Sequence, residues 1–242
     1  MKQYQAVVEA MEQVGGYATF GKLYELAPNI AGSKWGTKTP FASIRRIVQE
    51  RPEFFRIRPG LWGLSSQKQA ILEKLSLKGA ADEQVQAFDH TYYQGLVVEI
   101  GNLKRLATFV PNQDKNRKFL DKPLGTLATV KDIYPFTYEN LMQRARTIDV
   151  TWFNERKMPH SFFEIEYSTD FNNSLLKFTE LQDFNACFWI TADQNRKKEY
   201  DAKLAAKSFK EIATRVKFLT YDTLSDWHAR AYELSTIEKK LE

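Results

Sequence analysis

The chain has 242 residues and a mass of 28.2 kDa, enough to bury one large core or two smaller ones. Its 43% apolar and 27% charged residues are those of an ordinary globular protein, and no apolar run approaches the roughly 20 residues that cross a bilayer. A single Cys excludes an internal disulfide, and three scattered histidines (His90, His160, His228) argue against a structural zinc site. Met1–Gln5 lacks the apolar core of a signal peptide, so the expected location is the reducing cytoplasm. A formal charge of +5 and a pI near 9.1 permit a polyanionic partner without demanding one.

Val7, Val8, Met11 and Val14 lie at helical spacing in a first helix over 4–14, which Gly15-Gly16 stops. A second helix is expected over 19–27, ended by Pro28. A basic loop over 31–38 follows. Thr39-Pro40 then reads as an N-cap with Pro at the first helical position. The third helix, 40–50, buries Phe41, Ile44, Ile47 and Val48 and leaves Ser43, Arg45 and Arg46 for solvent or a ligand. Phe54–Arg58 and Leu61–Leu64, joined by Pro59-Gly60, read as a hairpin. Three helices and a hairpin make a winged helix.

Gly36-Thr37-Lys38-Thr39-Pro40 and the segment from Phe54 to Leu64 resemble the HARE-HTH family, winged-helix modules often joined to chromatin proteins and restriction endonucleases. The resemblance covers about a quarter of the chain and implies binding of double-stranded DNA. The residues agree: Lys34, Lys38, Thr39, Ser43, Arg45 and Arg46 surround the third helix, and Arg56 and Arg58 sit on the wing, where cations neutralise phosphates. A winged helix used for protein contacts is the alternative.

Polar, helix-prone sequence then gives a division into 1–66, a linker over 67–90, and a second domain over 91–242. In the latter a helix is expected over 92–106, a short strand at 108–111, and no assignment over 121–138. Arg144–Phe153 and Phe162–Tyr167 are read as strands joined by a polar hairpin. A helix over 175–184, a strand over 186–191, a helix over 197–212, a strand over 216–219 and a helix over 222–234 complete the domain. The fold class is α/β (α+β), with a mixed sheet flanked by helices.

Strand alternation puts Glu164 and Glu166 on one face, and pairing brings Asp149 beside them. Crowded carboxylates repel unless a cation or proton separates them, and hard oxygen ligands suit Mg²⁺. Two plainer readings stay open. Asp149 pairs with Arg144 or Arg146 as a structural acid, or Glu164 and Glu166 face solvent.

An acid in the second strand and an acidic pair in the third resemble the PD-(D/E)xK nuclease superfamily over roughly residues 91–220. The resemblance implies a restriction-endonuclease-like fold with Asp149, Glu164 and the Ile165 carbonyl as Mg²⁺ ligands. The third motif position, usually Lys, is Glu166, with Lys177 on the following helix able to replace the missing cation. Glu99 sits where many members place a further acid on the first helix. The implied activity is Mg²⁺-dependent hydrolysis of DNA phosphodiester bonds in the manner of Type II restriction enzymes, by a homodimer with one site per strand. The rival is an inactive member of the same architecture that only binds DNA or regulates. A methyl-dependent nuclease would differ in specificity alone.

Overall fold

The computed structural model describes all residues of the chain except Thr169, Lys240 and Glu242. The chain forms two units, Met1–Gln84 together with Ser225–Glu242, and Val85–Leu224.

The first unit runs α1 (Gln3–Glu12), β1 (Tyr17–Thr19), α2 (Phe20–Leu26), α3 (Phe41–Glu50), β2 (Phe54–Arg58), β3 (Leu61–Leu64) and α4 (Lys68–Lys74). Gly15 and Gly16, at φ of 87° and 89°, take the left-handed conformation that L side chains resist and so turn the chain out of α1. The Gly16 carbonyl then accepts the Leu64 N–H at 2.9 Å. This return pairs β1 antiparallel with β3, giving a sheet of order β1-β3-β2. The short β1, entirely buried, lay outside the expectation because three residues carry no alternation. Thr19 caps α2 by accepting the Lys22 N–H. Pro40 is the N-cap of α3 and not its first helical residue; no side chain caps that helix. Val7, Met11, Leu23, Ile44 and Val48 are fully buried between the three helices.

The second unit runs α5 (Asp82–Leu103), β4 (Ala107–Phe109), β5 (Lys118–Phe119), β6 (Lys122–Pro123), α6 (Leu124–Leu127), α7 (Glu139–Ala145), β7 (Val150–Phe153), β8 (Pro159–Glu166), α8 (Phe171–Glu180), β9 (Cys187–Ala192), α9 (Lys197–Leu204), β10 (Val216–Thr220) and only the first turn of α10 (Tyr221–Glu238). Its sheet has the order β10-β9-β8-β7-β4, antiparallel from β4 to β8 and parallel from β8 to β10. Helices flank this mixed sheet. Phe162 packs with Phe171, Leu175 and Phe178 of α8, while the Trp152 indole donates to the Val97 carbonyl of α5. β5 and β6 form a separate hairpin. No helix among the described residues is long and apolar enough to cross a membrane.

Several boundaries differ from the sequence expectation. The segment from Arg144 is not all strand: α7 holds Arg144 and Ala145, and β7 begins only at Val150. Arg144 reaches Glu180, and Arg146 folds back on Glu139 at the end of that helix. α8 starts at Phe171, four residues early, because Asp170 caps it by accepting the Asn172 N–H. α9 stops at Leu204, well short of residue 212. From Ser225 onward α10 belongs to the first unit: Ser225 Oγ donates to the Pro59 carbonyl, and Ala229 is fully buried in that core. The second domain expected over 91–242 thus gives up its last helix beyond residue 224.

Candidate active site

Antiparallel pairing of Val150 with Phe163 sets Asp149, one residue before β7, opposite Glu164 near the end of β8. β7 ends there, so the Ile165 N–H finds no strand partner on that side and donates instead to Asp149 Oδ2 at 2.7 Å. The carbonyl of a strand residue points to the same edge as its N–H, so the Ile165 carbonyl also faces the Asp149 side. Glu164 and Glu166 project from one face, under α8. They are 3% and 5% exposed, which removes the solvent-facing reading. Lys177 Nζ donates to both oxygens of Glu164, at 2.8 and 3.0 Å, and to the Thr147 carbonyl at 2.9 Å. Ser174, three residues earlier on the same helix face, lies within hydrogen-bond reach of Glu164 and of Glu166. Arg144 and Arg146 are bound elsewhere, so neither is the partner of Asp149.

Residues 72–241, most of the chain and all of this cluster, match the family described as the Type II restriction enzyme NmeDI C-terminal domain. The chain belongs to that family. No curated protein and no solved structure matches it. The mixed sheet carrying Asp149, Glu164 and Glu166 is therefore the core of a restriction-enzyme domain.

In this restriction-enzyme domain, α5 contributes two side chains that the sequence reading passed over. His90 Nε2 lies 3.2 Å from Asp149 Oδ2, and Gln94 Nε2 donates to the Asp149 carbonyl at 2.7 Å and to Asp114 Oδ2 at 3.1 Å. They are four residues apart and share a helix face. Glu99 stands nine residues beyond His90, about 180° around the helix, so α5 does not bring it to this edge. A lone His and a Gln at one helix face carry no signal of their own in the sequence, and only the strand register reveals them.

Burial pushes both glutamates upward. For Glu164 the desolvation is reinforced by the Asp149 charge and opposed by Lys177; Glu166 is raised to about 7, with Ser174 opposing. A hydroxyl has one proton, so Ser174 donates to one carboxylate only, and its second contact is a hydrogen bond only if a carboxyl carries its own proton. At His90, burial opposes the charged form, but the hydrogen bond and charge of Asp149 outweigh it and raise the ring's pKa.

The three acids offer hard carboxylate oxygens, with the His90 ring nitrogen beside them, and a carboxylate set of this kind suits a small divalent ion. As the side chains stand, no group of three or more His, Cys, Asp or Glu among the described residues is arranged to hold one. Lys177 is bonded to Glu164, and Asp149 accepts from the Ile165 N–H and lies against His90.

In the first unit, Lys34, Lys38, Arg46 and Arg56 are exposed, whereas Thr39, Ser43 and Arg58 are half-buried. Lys34 and Arg46 line one open depression with Lys2 and Arg51. Arg45 is different. Its guanidinium donates to the Tyr24 hydroxyl and to Glu233 Oε1 at 2.7 Å, and lies over the Phe20 ring. The expectation of a solvent-facing Arg45 gives way to an internal bridge, because α10 supplies a carboxylate that the local sequence does not reveal.

Proposed function

We propose that the chain is a Mg²⁺-dependent endodeoxyribonuclease of the restriction type, with its first unit acting as a winged-helix DNA-binding module. The observation that carries the reading is a buried cluster of Asp149, Glu164 and Glu166 at one sheet edge, with Lys177 bonded to Glu164. This is the acid set implied by the PD-(D/E)xK resemblance, with the cation moved from the strand to α8. Asp149, Glu164 and the Ile165 carbonyl would hold Mg²⁺, which when bound supplies charge neutralisation at phosphorus and a more acidic water.

The side chains themselves divide the work. Lys177 fixes the orientation of Glu164 and favours its ionised form. His90 and Gln94 hold Asp149 from the α5 side. Glu166, with its proton affinity raised to about 7, is the group suited to take a proton from the attacking water near neutral pH. In the first unit, α3 would enter the major groove with Arg46, Lys34 and Lys38 on phosphates and Arg56 on the wing. Cutting both strands with one site per chain calls for a homodimer.

One observation favours a second reading, an inactive DNA-binding or regulatory protein: Lys177 and Ser174 already occupy the acids. Incubation of purified protein with plasmid DNA, unmethylated and methylated, in Mg²⁺ and in EDTA separates the two. Discrete Mg²⁺-dependent fragments, abolished by Asp149→Ala and by Glu164→Ala with duplex binding retained, are the expected result. Binding without cutting on every substrate would select the second reading.

A further inference from the structure

The loop after β4 carries a carboxylate–guanidinium pair that the acidic cluster does not include. The Asp114 N–H donates to the Pro111 carbonyl at 3.0 Å, and the Arg117 N–H to the Asp114 carbonyl at 2.9 Å, so the loop is a tight double turn. Asp114 is only 2% exposed, although Asn112, Gln113, Asn116 and Lys118 around it are exposed. Its two oxygens serve two directions. Oδ2 accepts Gln94 Nε2, the same amide that donates to the Asp149 carbonyl. Oδ1 lies 3.2 Å from Arg117 Nε. One amide therefore ties this loop to the first acid of the cluster.

Burying a carboxylate is costly unless its partners hold it well. The return here is geometric: a guanidinium pinned through Nε keeps the planar fork with which arginine grips a phosphate. The Arg117 side chain stays 47% exposed, open to a ligand. Through Asp114 and the Gln94 amide, the guanidinium is two side chains away from the Asp149 backbone.

We propose that Arg117 is a phosphate clamp, holding the DNA backbone next to the bond attacked at Asp149 and Glu164. The proposal rests on the nuclease reading. The Asp114–Gln94 link sets the clamp in register with the reacting edge, so that a backbone held at Arg117 meets the acids.

The test uses the full chain carrying Asp149→Ala, which is expected to bind without cutting, and a labelled duplex containing a site that the wild type cuts. Affinity is measured between about 50 and 200 mM salt. Adding Arg117→Ala should weaken binding about tenfold, the loss of a charge-assisted contact, and should make the slope of log K against log salt shallower by about 0.9. Arg117→Lys should keep the slope, since the charge persists, yet slow single-turnover cutting in the otherwise wild-type chain, since the pinned fork is gone. Arg156→Ala, an exposed cation in the turn at the far end of β7, should change neither. If Arg117→Ala leaves affinity and slope equal to those of its parent while the wild type cuts DNA, the clamp is refuted and the nuclease reading stands. If the wild type neither binds nor cuts any duplex, both fall together.

Discussion

Lys177→Met tests whether a buried cation holds the acidic cluster in place. The ammonium donates to both oxygens of Glu164 and to the Thr147 carbonyl, with side-chain exposures of 11% for Lys177 and 4% for Glu164. Methionine fills nearly the same space and removes the charge, so the loss is electrostatic. Leaving one member of a buried pair unpartnered costs about 3–5 kcal/mol. For a chain of this size that is a fall in Tm of about 6–20 °C. The deficit should depend on pH in a fixed direction. Burial and Asp149 already raise the Glu164 pKa, and without Lys177 nothing of comparable strength opposes them. A group raised in the folded state contributes stability that is complete below its unfolded pKa and is lost as pH rises through the folded value. The variant should therefore lose least near pH 5, where Glu164 is protonated, and most near pH 8. Urea and thermal melts of wild type, Lys177→Met, Glu164→Gln and the double variant, in EDTA at both pH values, make the cycle. A coupling of about 2 kcal/mol or more at pH 8, with the double variant more stable than Lys177→Met, is expected. Additive effects, or a Lys177→Met loss below about 0.5 kcal/mol, the range of an ordinary surface change, would refute the reasoning.

Glu166 leads to a related expectation. With its folded value raised to about 7 by burial, Glu166 should by itself account for about 2.5 kcal/mol of stability lost as pH rises from 5 to 8 in the metal-free protein, and Glu166→Gln should remove that share of the dependence in EDTA melts. Arg45 and Arg46 should separate structure from binding. Arg45→Ala breaks the bridge to Tyr24 and Glu233 and should lower stability by about 1–3 kcal/mol in denaturant melts. Arg46→Ala, exposed on the same helix, should leave the melt unchanged and make duplex binding less salt-dependent.

The strands that carry the acids were legible because their residues alternate: Glu164 and Glu166 separated by Ile165 can face only one side. α3 and the β2–β3 hairpin were legible from their punctuation, with Gly60 at φ 77° where a tight turn needs it. What escaped the sequence lacked local signal. The helix expected over 92–106 is the second half of α5; its first turns, from Asp82, are mostly exposed and carry no apolar stripe, so the early start was not legible. His90, Gln94 and Asp114 come together only through the register of β7 and the fold of the loop after β4. The bound state of Arg45 depends on Glu233, 188 residues away. Lys177 was legible only in part: its spacing put it on the helix after β8, but its contact with Glu164 follows from where Asp170 starts that helix.

The last helix has a consequence for how the protein is made. Val85–Leu224 separates Met1–Gln84 from Ser225–Glu242, yet the two outer segments form one unit. On the ribosome, the amino-terminal helices emerge first but wait for Glu233 to meet Arg45 and for Ala229 to fill their core. Val85–Leu224 is synthesised before that happens, so the unit that begins first is the last whose chain is complete. A fragment cut after residue 84 would likewise leave Arg45 without its carboxylate and expose the surface that Ala229 covers. Dissection of this chain into halves should carry the final helix along with the first.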